Sequence, residues 1–158
     1  MAPSGTKTVA SNRKARHDFS ILDVFEAGLV LVGSEVKSLR DSKVQLADAY
    51  AYIDGGECWL RGVHIAPYTF AHGFGAHDPD RPRKLLLHRN ELVRMSARVN
   101  QERLTLVPLS IYFKDGRAKV ELALAKGRTH ADRRHAMAEQ DAKREMARAV
   151  GRTAKGMD

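Results

Sequence analysis

Apolar and polar positions alternate along the second half of the chain, a pattern typical of β-strands. In the segment 118–124 every second residue is apolar, and the segment 104–113 alternates as well, except that its apolar positions shift by one residue at Pro108. An Asp115-Gly116 pair lies between the two segments, and Asp-Gly between alternating runs favours a tight hairpin turn. We therefore predict two long antiparallel strands, with a bulge at Pro108 that bends the first of them.

Helices and further hairpins are indicated by spacing and by turn residues. Helical spacing of apolar residues predicts a helix over 89–100, and Ser34 as a cap before Glu35 predicts a short helix over 35–40. The segment 69–83 is rich in glycine and proline and is expected to be a loop. Two more hairpins are predicted, 49–53 with 58–65 through the turn Asp54–Glu57, and 19–26 with 29–32 through Ala27-Gly28.

About six short strands, one of them strongly bent, with two or three short helices are typical of a small closed barrel. We therefore predict a mainly β fold, an OB-fold-like closed antiparallel barrel over residues 11–127. Residues 1–10 lack an apolar core and are expected to be a disordered leader. Residues 128–158 form a basic tail in which 132–150 are good helix formers with mostly alanine at the apolar positions. Such a segment buries little apolar surface, so we expect the tail to be disordered alone and helical on a partner.

Positive charge is concentrated at three places along the chain. The 27 Lys and Arg residues outnumber the 19 Asp and Glu residues, which gives a formal net charge of +8. Clusters lie at 12–17, at 81–84 and through the tail. Clustered cations neutralise phosphates and release counterions, so they favour a nucleic acid as the partner. The single cysteine, Cys58, excludes an intramolecular disulfide and fits a reducing cytoplasm, and no apolar run approaches the ~20 residues that would span a membrane.

Catalytic chemistry has little support in the sequence. His72 and His77 lack metal-ligand spacing, and Pro79 separates Asp78 from Asp80. Neither a phosphate-binding loop nor a nucleophile elbow is found. We therefore expect no catalytic residue, no metal or cofactor and no obligate small-molecule ligand. Candidates to stack on RNA bases are His17, Tyr68, Phe70 and His88, whereas Phe19 is expected to be a half-buried strand residue.

Several segments, in their order and spacing, resemble the small protein B family, the SsrA-binding proteins of bacterial trans-translation. The resemblance covers nearly the whole chain, from Asn12 to about Val150. The segments that carry it are Asn12-Arg13-Lys14-Ala15-Arg16-His17-Asp18-Phe19, Phe25-Glu26-Ala27-Gly28, Glu35-Val36-Lys37-Ser38-Leu39-Arg40, His64-Ile65-Ala66-Pro67-Tyr68, Arg83-Lys84-Leu85-Leu86-Leu87-His88, Leu106-Val107-Pro108-Leu109, Phe113-Lys114-Asp115-Gly116-Arg117, Ala125-Lys126-Gly127 and Asp141-Ala142-Lys143-Arg144-Glu145.

The resemblance implies an OB-fold barrel that binds the tRNA-like domain of transfer-messenger RNA near its elbow and delivers it to stalled ribosomes. It associates RNA binding with Asn12, His17, Glu26 and Leu86, with His88 just beyond. The cations beside Asn12 would contact phosphates. The full set of candidate RNA-binding residues is Asn12, Arg13, Lys14, Arg16, His17, Glu26, Lys84, Leu86, His88, Lys126 and Gly127.

The resemblance also implies that the tail reaches the ribosomal RNA near the decoding region and the message channel. The family usually reads Gly-Lys-Lys after the last strand, whereas this chain reads Gly127-Arg128-Thr129 and has one cation fewer. The candidate ribosome-binding residues of the tail are Arg128, Asp132, Arg133, Arg134, Lys143 and Arg144.

Two other functions are compatible with parts of the pattern. An OB-fold barrel with a basic surface is also expected of a general single-strand RNA-binding protein or a ribosomal protein. A metal-dependent RNA hydrolase would instead use the histidine and aspartate residues of the 64–88 region.

Overall fold

The computed structural model describes residues 6–68, 77–127 and 142–147. The first two ranges contain the helices α1 (Arg13–Asp18), α2 (Gly33–Arg40) and α3 (Arg89–Glu102), and residues 142–147 form a further helical segment. The strands are β1 (Thr6–Ser11), β2 (Phe19–Leu29), β3 (Val44–Gln45), β4 (Tyr50–Asp54), β5 (Glu57–Arg61), β6 (His64–Ile65), β7 (Arg83–Leu86), β8 (Thr105–Lys114) and β9 (Arg117–Gly127).

Six antiparallel strands close into a barrel. Hydrogen bonds connect β8, β4, β5, β7, β2 and β9 in that order, and β9 pairs with β8 to complete the ring. Strand β1 extends the same sheet by pairing with β8, while β3 and β6 form a separate two-stranded ribbon. The predicted mainly β, closed antiparallel barrel of about six strands is confirmed, and so are the two predicted helices in α2 and α3.

The barrel interior is filled by alternate residues of its strands. Val120, Leu122 and Leu124 of β9 are fully buried there, as the period of two predicts. Helix α3 contributes Met95 to the same core, also fully buried. Removal of each such side chain from water stabilises the fold by about 1.5–3 kcal/mol. The barrel therefore has an apolar core of its own.

Two predicted turns and the predicted bulge are present. Gly55 and Gly56 between β4 and β5 have φ values of 59° and 77°, and Asp115 and Gly116 between β8 and β9 have 51° and 78°. These left-handed conformations are those that a two-residue hairpin turn requires. The register of β8 on β9 shifts between Pro108 and Ser110, because proline lacks the N–H that would continue the ladder.

The hairpin predicted at Ala27-Gly28 is wrong. Strand β2 runs without interruption from Phe19 to Leu29, and Gly28 pairs with Leu86 of β7. A Cβ atom at position 28 would lie 3.2 Å from the Cβ of Leu86. The glycine is therefore needed because another strand passes close to the backbone, and not because the chain turns.

Part of the predicted disordered leader is a strand. Thr6–Ser11 form β1 and pair with β8, whereas residues 1–5 lie outside the described residues. Strand β4 pairs with β8 through Ala51 and Leu106 near one end. Along the rest of this edge of β8, the N–H and C=O groups would otherwise be unpaired, and β1 pairs with them.

The chain divides into two compact units after Gly127. In the second unit, residues 142–147 are helical with exposed side chains, which agrees with the helix-forming composition of the tail. Its expected disorder in isolation stays a prediction. Within the described ranges, every helix is too short or too polar to cross a membrane.

Candidate nucleic-acid interface

The first basic cluster forms a short helix that sequence patterning did not predict. Asn12 caps α1: its Oδ1 accepts a hydrogen bond from the Ala15 N–H at 3.1 Å. Its Nδ2 donates to the carbonyls of Leu46 at 3.1 Å and Pro108 at 3.0 Å. The residue is only 2% exposed. Asn12, predicted to contact RNA, is thus used inside the protein to anchor α1 to the barrel.

Helix α1 lies on the outer face of β8 and β9. Its Ala15 is buried in a second apolar cluster with Val107 and Leu109 of β8 and with Ala123 and Ala125 of β9. The small alanine side chains let the helix approach the sheet closely. The charged residues of α1 are therefore left exposed on the outside.

Two of the three cations on α1 have carboxylate partners. Lys14 Nζ lies 2.9 Å from Asp48 Oδ1, and Arg16 Nη2 lies 3.3 Å from Glu121 Oε1. Among the described residues, Arg13 has no ion-pair partner. The hydrogen bond to Asp48 raises the pKa of Lys14. Ion pairs between exposed side chains are weak because water screens them, so phosphate oxygens can replace the carboxylates at little cost.

Histidine 17 follows the cations on the same helix. Its Nδ1 lies 3.0 Å from Asp18 Oδ1, and about half of its side chain, 46%, remains exposed. Phe19, the next residue after this pair, is half-buried against the cluster around Ala15. His17 is therefore accessible to a ligand, and Phe19 packs as a strand residue, as predicted.

Glu26 projects from the same outer face of the barrel, on β2. It accepts a hydrogen bond from the Tyr112 hydroxyl at 2.5 Å, and Lys114 Nζ lies 3.5 Å from both carboxylate oxygens. The Tyr112 hydrogen bond, aided by Lys114, lowers the pKa of Glu26. Burial, together with the hydrogen bond to Glu26, raises the pKa of Tyr112. At neutral pH the pair is a carboxylate and a neutral phenol.

Three of the predicted RNA-binding residues line one groove of about 670 Å³: Glu26, Leu86 and His88. Leu86 is 55% exposed, which is unusual for a leucine on a strand, and Gly28 leaves room for it. His88 immediately precedes α3, where its N–H donates to Glu91 Oε1 at 3.2 Å. Lys119 of β9 lines the groove as well. The groove thus combines an acceptor, an apolar contact, an imidazole and a cation.

Sequence patterning did not single out Tyr112, Lys114 or Lys119 as parts of this site. A signal was available, because the Asp115-Gly116 hairpin sets the register between β8 and β9. That register places Tyr112 opposite Lys119 and Lys114 opposite Arg117. All four residues alternate with core residues and so face outward.

The second basic cluster is mainly structural, which corrects the expectation that it faces RNA. Arg83 is completely buried: its Nε donates to Glu35 Oε2 and its Nη1 donates to the Val63 carbonyl, both at 2.7 Å. Arg81 Nη2 donates to Glu35 Oε1 at 2.5 Å. Burial alone would raise the pKa of Glu35, but hydrogen bonds from Arg81, the Val32 N–H and Arg83 outweigh it and hold that pKa below its ordinary value.

Lys84 is the member of this cluster that points outward. Its Nζ lies 2.8 Å from Glu57 Oε1, and 37% of its side chain is exposed. It lies two residues before Leu86 on β7 and so shares the outer face of that strand. Lys84 does not line the groove itself. The structure therefore places it beside the candidate site rather than in it.

Lys126 and Gly127 end β9 next to the start of β2. Lys126 pairs with Ser20 and Gly127 with Phe19, directly after α1, and both are exposed. In the tail, Lys143 and Arg144 are exposed on the helical segment 142–147. The remaining predicted tail contacts lie outside the described residues: Arg128, Asp132, Arg133 and Arg134.

Two histidines of the 64–88 region, His64 and His77, have structural partners. His77 bridges Ser34 Oγ at 2.8 Å and the Ile65 carbonyl at 2.9 Å, and His64 Nδ1 lies 2.8 Å from Asp80 Oδ1. Throughout residues 6–68, 77–127 and 142–147, there is no group of three or more His, Cys, Asp or Glu side chains placed to hold a metal ion.

Comparison with known proteins assigns the family. A family model described as SmpB protein matches residues 9–152. The chain belongs to the SmpB family. SmpB relatives named SsrA-binding protein include one from Parafrankia sp. (strain EAN1pec), 56% identical over 97% of this chain and 96% of the relative, and one from Mycolicibacterium smegmatis, 56% identical over 98% of this chain and 96% of the relative.

A solved SmpB structure is also similar. It is described as "tmRNA-SmpB: a journey to the center of the bacterial ribosome", is 46% identical, and covers 81% of this chain and 93% of its own. Its TM-score of 0.64 agrees with a shared barrel fold.

Proposed function

We propose that this chain is a non-enzymatic RNA-binding adaptor. It binds the tRNA-like domain of transfer-messenger RNA and delivers that RNA to stalled ribosomes for trans-translation. Membership of the SmpB family supports this function, as do relatives named SsrA-binding protein and a similar solved structure whose description names tmRNA and the bacterial ribosome. The adaptor acts in the cytoplasm, where its ribosomal partner works.

The observation that carries the proposal is the groove shared by Glu26, Leu86 and His88. Glu26 lies on β2, about 60 residues before Leu86 at the end of β7 and His88 at the start of α3, so the fold brings two distant parts of the chain together here. A leucine side chain that is exposed to water adds little to the stability of the fold, but it can pack against the face of an unpaired base. The carboxylate can accept a hydrogen bond from a base or from a 2′-hydroxyl, which distinguishes RNA from DNA.

Helix α1 extends the same binding face. Arg16 reaches Glu121 of β9, and Glu121 pairs directly with Glu26 of β2 across the sheet. The cations of α1 and the groove are thus connected along the outer face of β2, β9 and β8. In this arrangement Arg13, Lys14 and Arg16 contact phosphates, which positions the RNA, while groove residues read its bases and sugars.

Asn12 contributes to this face indirectly. Because its amide fixes the start of α1 to the carbonyls of Leu46 and Pro108, it sets the direction in which the three cations point. Its loss would misplace the helix without removing any RNA contact.

The tail provides the second interaction of the adaptor. It leaves the barrel through Lys126 and Gly127, which are exposed beside the end of α1. We propose that its cations, including Arg128, Arg133, Lys143 and Arg144, with Asp132 capping the helix, bind ribosomal RNA near the decoding region. Helix formation then accompanies binding, because the tail buries little apolar surface by itself.

The test compares a folded tRNA-like RNA with an unstructured RNA of equal length and composition, at matched salt, using the full chain. The proposal expects much tighter binding of the folded RNA, by at least tenfold, and release of stalled ribosomes only when transfer-messenger RNA is present. Equal affinity for both RNAs would favour a general single-strand binder. Metal-dependent cleavage of either RNA would favour the hydrolase.

A further inference from the structure

We propose that Tyr112 is a positioning residue for RNA recognition, which holds the Glu26 carboxylate in place so that its Oε1 atom accepts a hydrogen bond from the RNA. The inference rests on the proposed function and adds a residue that the family resemblance does not assign. Tyr112 acts through Glu26 and does not itself contact the ligand.

The geometry around Glu26 leaves one oxygen available. The Tyr112 hydroxyl donates to Oε2 at 2.5 Å, a short bond typical of a charged acceptor. Lys114 Nζ is 3.5 Å from each oxygen, so it is a weak partner for both. Oε1 therefore keeps its hydrogen-bonding capacity, and Glu26 lines the groove with Leu86 and His88.

A second carboxylate makes this support necessary. Glu121 lies directly opposite Glu26 across the β2–β9 ladder, and like charges at such a position repel each other. Glu121 is held by Arg16 at 3.3 Å and by Ser110 at 3.3 Å. The negative charge of Glu26 is stabilised by the Tyr112 hydroxyl, by Lys114 and by Lys119. Without the hydroxyl, Glu26 would lose the hydrogen bond that orients its carboxylate beside Glu121, and its oxygen atoms would no longer be held toward the groove.

The strand register explains why tyrosine is suited to this position. Tyr112 is separated from β2 by the intervening strand β9, where it pairs with Lys119. A side chain must therefore cross one whole strand to reach Glu26. A tyrosine is long enough, has few rotatable bonds and carries a donor at its tip, so it fixes the carboxylate at low entropic cost.

The experiment is a double-mutant cycle with Tyr112→Phe and Glu26→Gln in the full chain, measuring affinity for the folded tRNA-like RNA at fixed salt. Tyr112→Phe should weaken binding by about 3- to 10-fold, as expected for one lost hydrogen bond. Glu26→Gln should weaken binding at least as much. The double variant should bind no more weakly than Glu26→Gln alone, because Tyr112 acts only through Glu26.

Controls separate this role from a structural one. Tyr52→Phe, on the outer face of β4 and outside the groove, should leave affinity unchanged. A carboxyl-carbon NMR titration should report a higher pKa for Glu26 in Tyr112→Phe than in the wild type, with the barrel still folded. The positioning role is wrong if Tyr112→Phe binds like the wild type, or if the two losses multiply in the double variant. Failure of the wild type to prefer the folded RNA would instead reject the proposed function and this inference with it.

Discussion

Glu35 of α2 and Arg83 of β7 form an ion pair in which both side chains are completely buried. Arg83 also donates to the carbonyls of Val63, Asp78 and Pro79, so one guanidinium connects a helix, a strand and two connecting segments. The pair fixes the start of β7, the strand that carries Leu86. Leu87 and His88 then connect this strand to α3. The groove thus depends on a cation that never meets the ligand.

Removal of the Glu35 charge should strongly destabilise the barrel. Glu35→Gln leaves Arg83 buried without its counter-charge, and the loss of one partner from a buried pair costs about 3–5 kcal/mol. Glu57→Gln is the matched control, because its pair with Lys84 is about half exposed on both sides and should contribute less than 1 kcal/mol. Urea unfolding of the two variants measures the difference. Similar free energies of unfolding would contradict the structural role of the buried pair.

The same pair predicts a dependence on pH. The pKa of Glu35 is lower in the folded protein than its ordinary value of 4.5. Its contribution to stability is therefore complete above the unfolded value and is lost as the pH falls through the lower, folded value. The gap in unfolding free energy between wild type and Glu35→Gln should be constant above about pH 5 and narrow at lower pH. If the difference in unfolding free energy instead grew at lower pH, the pKa of Glu35 would have to be raised by folding, which would contradict its stabilisation as a buried carboxylate.

Leu85 and Leu86 are neighbours with opposite roles. Leu85 is 2% exposed and belongs to the core, whereas Leu86 is 55% exposed in the groove. Leu85→Ala should cost about 2–5 kcal/mol of stability, as other core truncations do. Leu86→Ala should leave thermal unfolding nearly unchanged but weaken binding of the tRNA-like RNA by about tenfold, because the variant loses the apolar surface that the leucine side chain buries against a base. Unchanged affinity in Leu86→Ala would exclude this residue from the interface.

The cations of α1 should determine much of the salt dependence of binding. Neutralising Arg13, Lys14 and Arg16 together should flatten the slope of log affinity against log salt by up to about 3 units, close to one unit for each phosphate contact. Arg13→Gln alone should account for about one of these units. Arg61→Gln, an exposed cation on the outer face of β5, is the control and should leave the slope unchanged. A triple variant with the wild-type slope would remove α1 from the interface.

Truncation after Gly127 should separate the two interactions of the adaptor. The barrel forms a compact unit that ends at this residue, and among residues 6–68, 77–127 and 142–147 the core side chains all precede it. The truncated chain should keep the unfolding free energy and the RNA affinity of the full chain but lose rescue of stalled ribosomes. A reversed-charge tail with the same length is a useful companion variant, since it should also lose rescue. Loss of barrel stability on truncation would mean that the tail belongs to the core.

Local signals in the sequence were sufficient for much of the barrel. The Asp115-Gly116 turn and the Pro108 bulge are short-range features, since a left-handed turn and a missing N–H act on their own strand. Gly28 misled the prediction because its role depends on Leu86, which approaches it from β7, a strand distant in sequence. Helix α1 was missed because a helix of six residues is too short to show a periodic pattern of apolar positions.

Charge was the least reliable guide to the site. Arg83 and Lys84 are adjacent and equally basic in sequence, yet one is fully buried against Glu35 and the other is exposed beside Glu57. Only the strand period and the position of the partner carboxylate distinguish them. The structural role of Asn12 was also not predictable from the sequence, because its amide donates to two carbonyls, of Leu46 and Pro108, that are distant along the chain. A residue type can be read from the sequence, but its partner is a property of the fold.

The most direct test of the binding face places a photo-crosslinking amino acid at position 86 and, separately, at position 61 of the full chain. Each protein is irradiated with transfer-messenger RNA and the crosslinked nucleotides are mapped. Position 86 should crosslink efficiently and only within the tRNA-like domain, while position 61 should give little product. Equal crosslinking from both positions, or crosslinks from position 86 that lie outside the tRNA-like domain, would contradict the assignment of this face to the folded RNA.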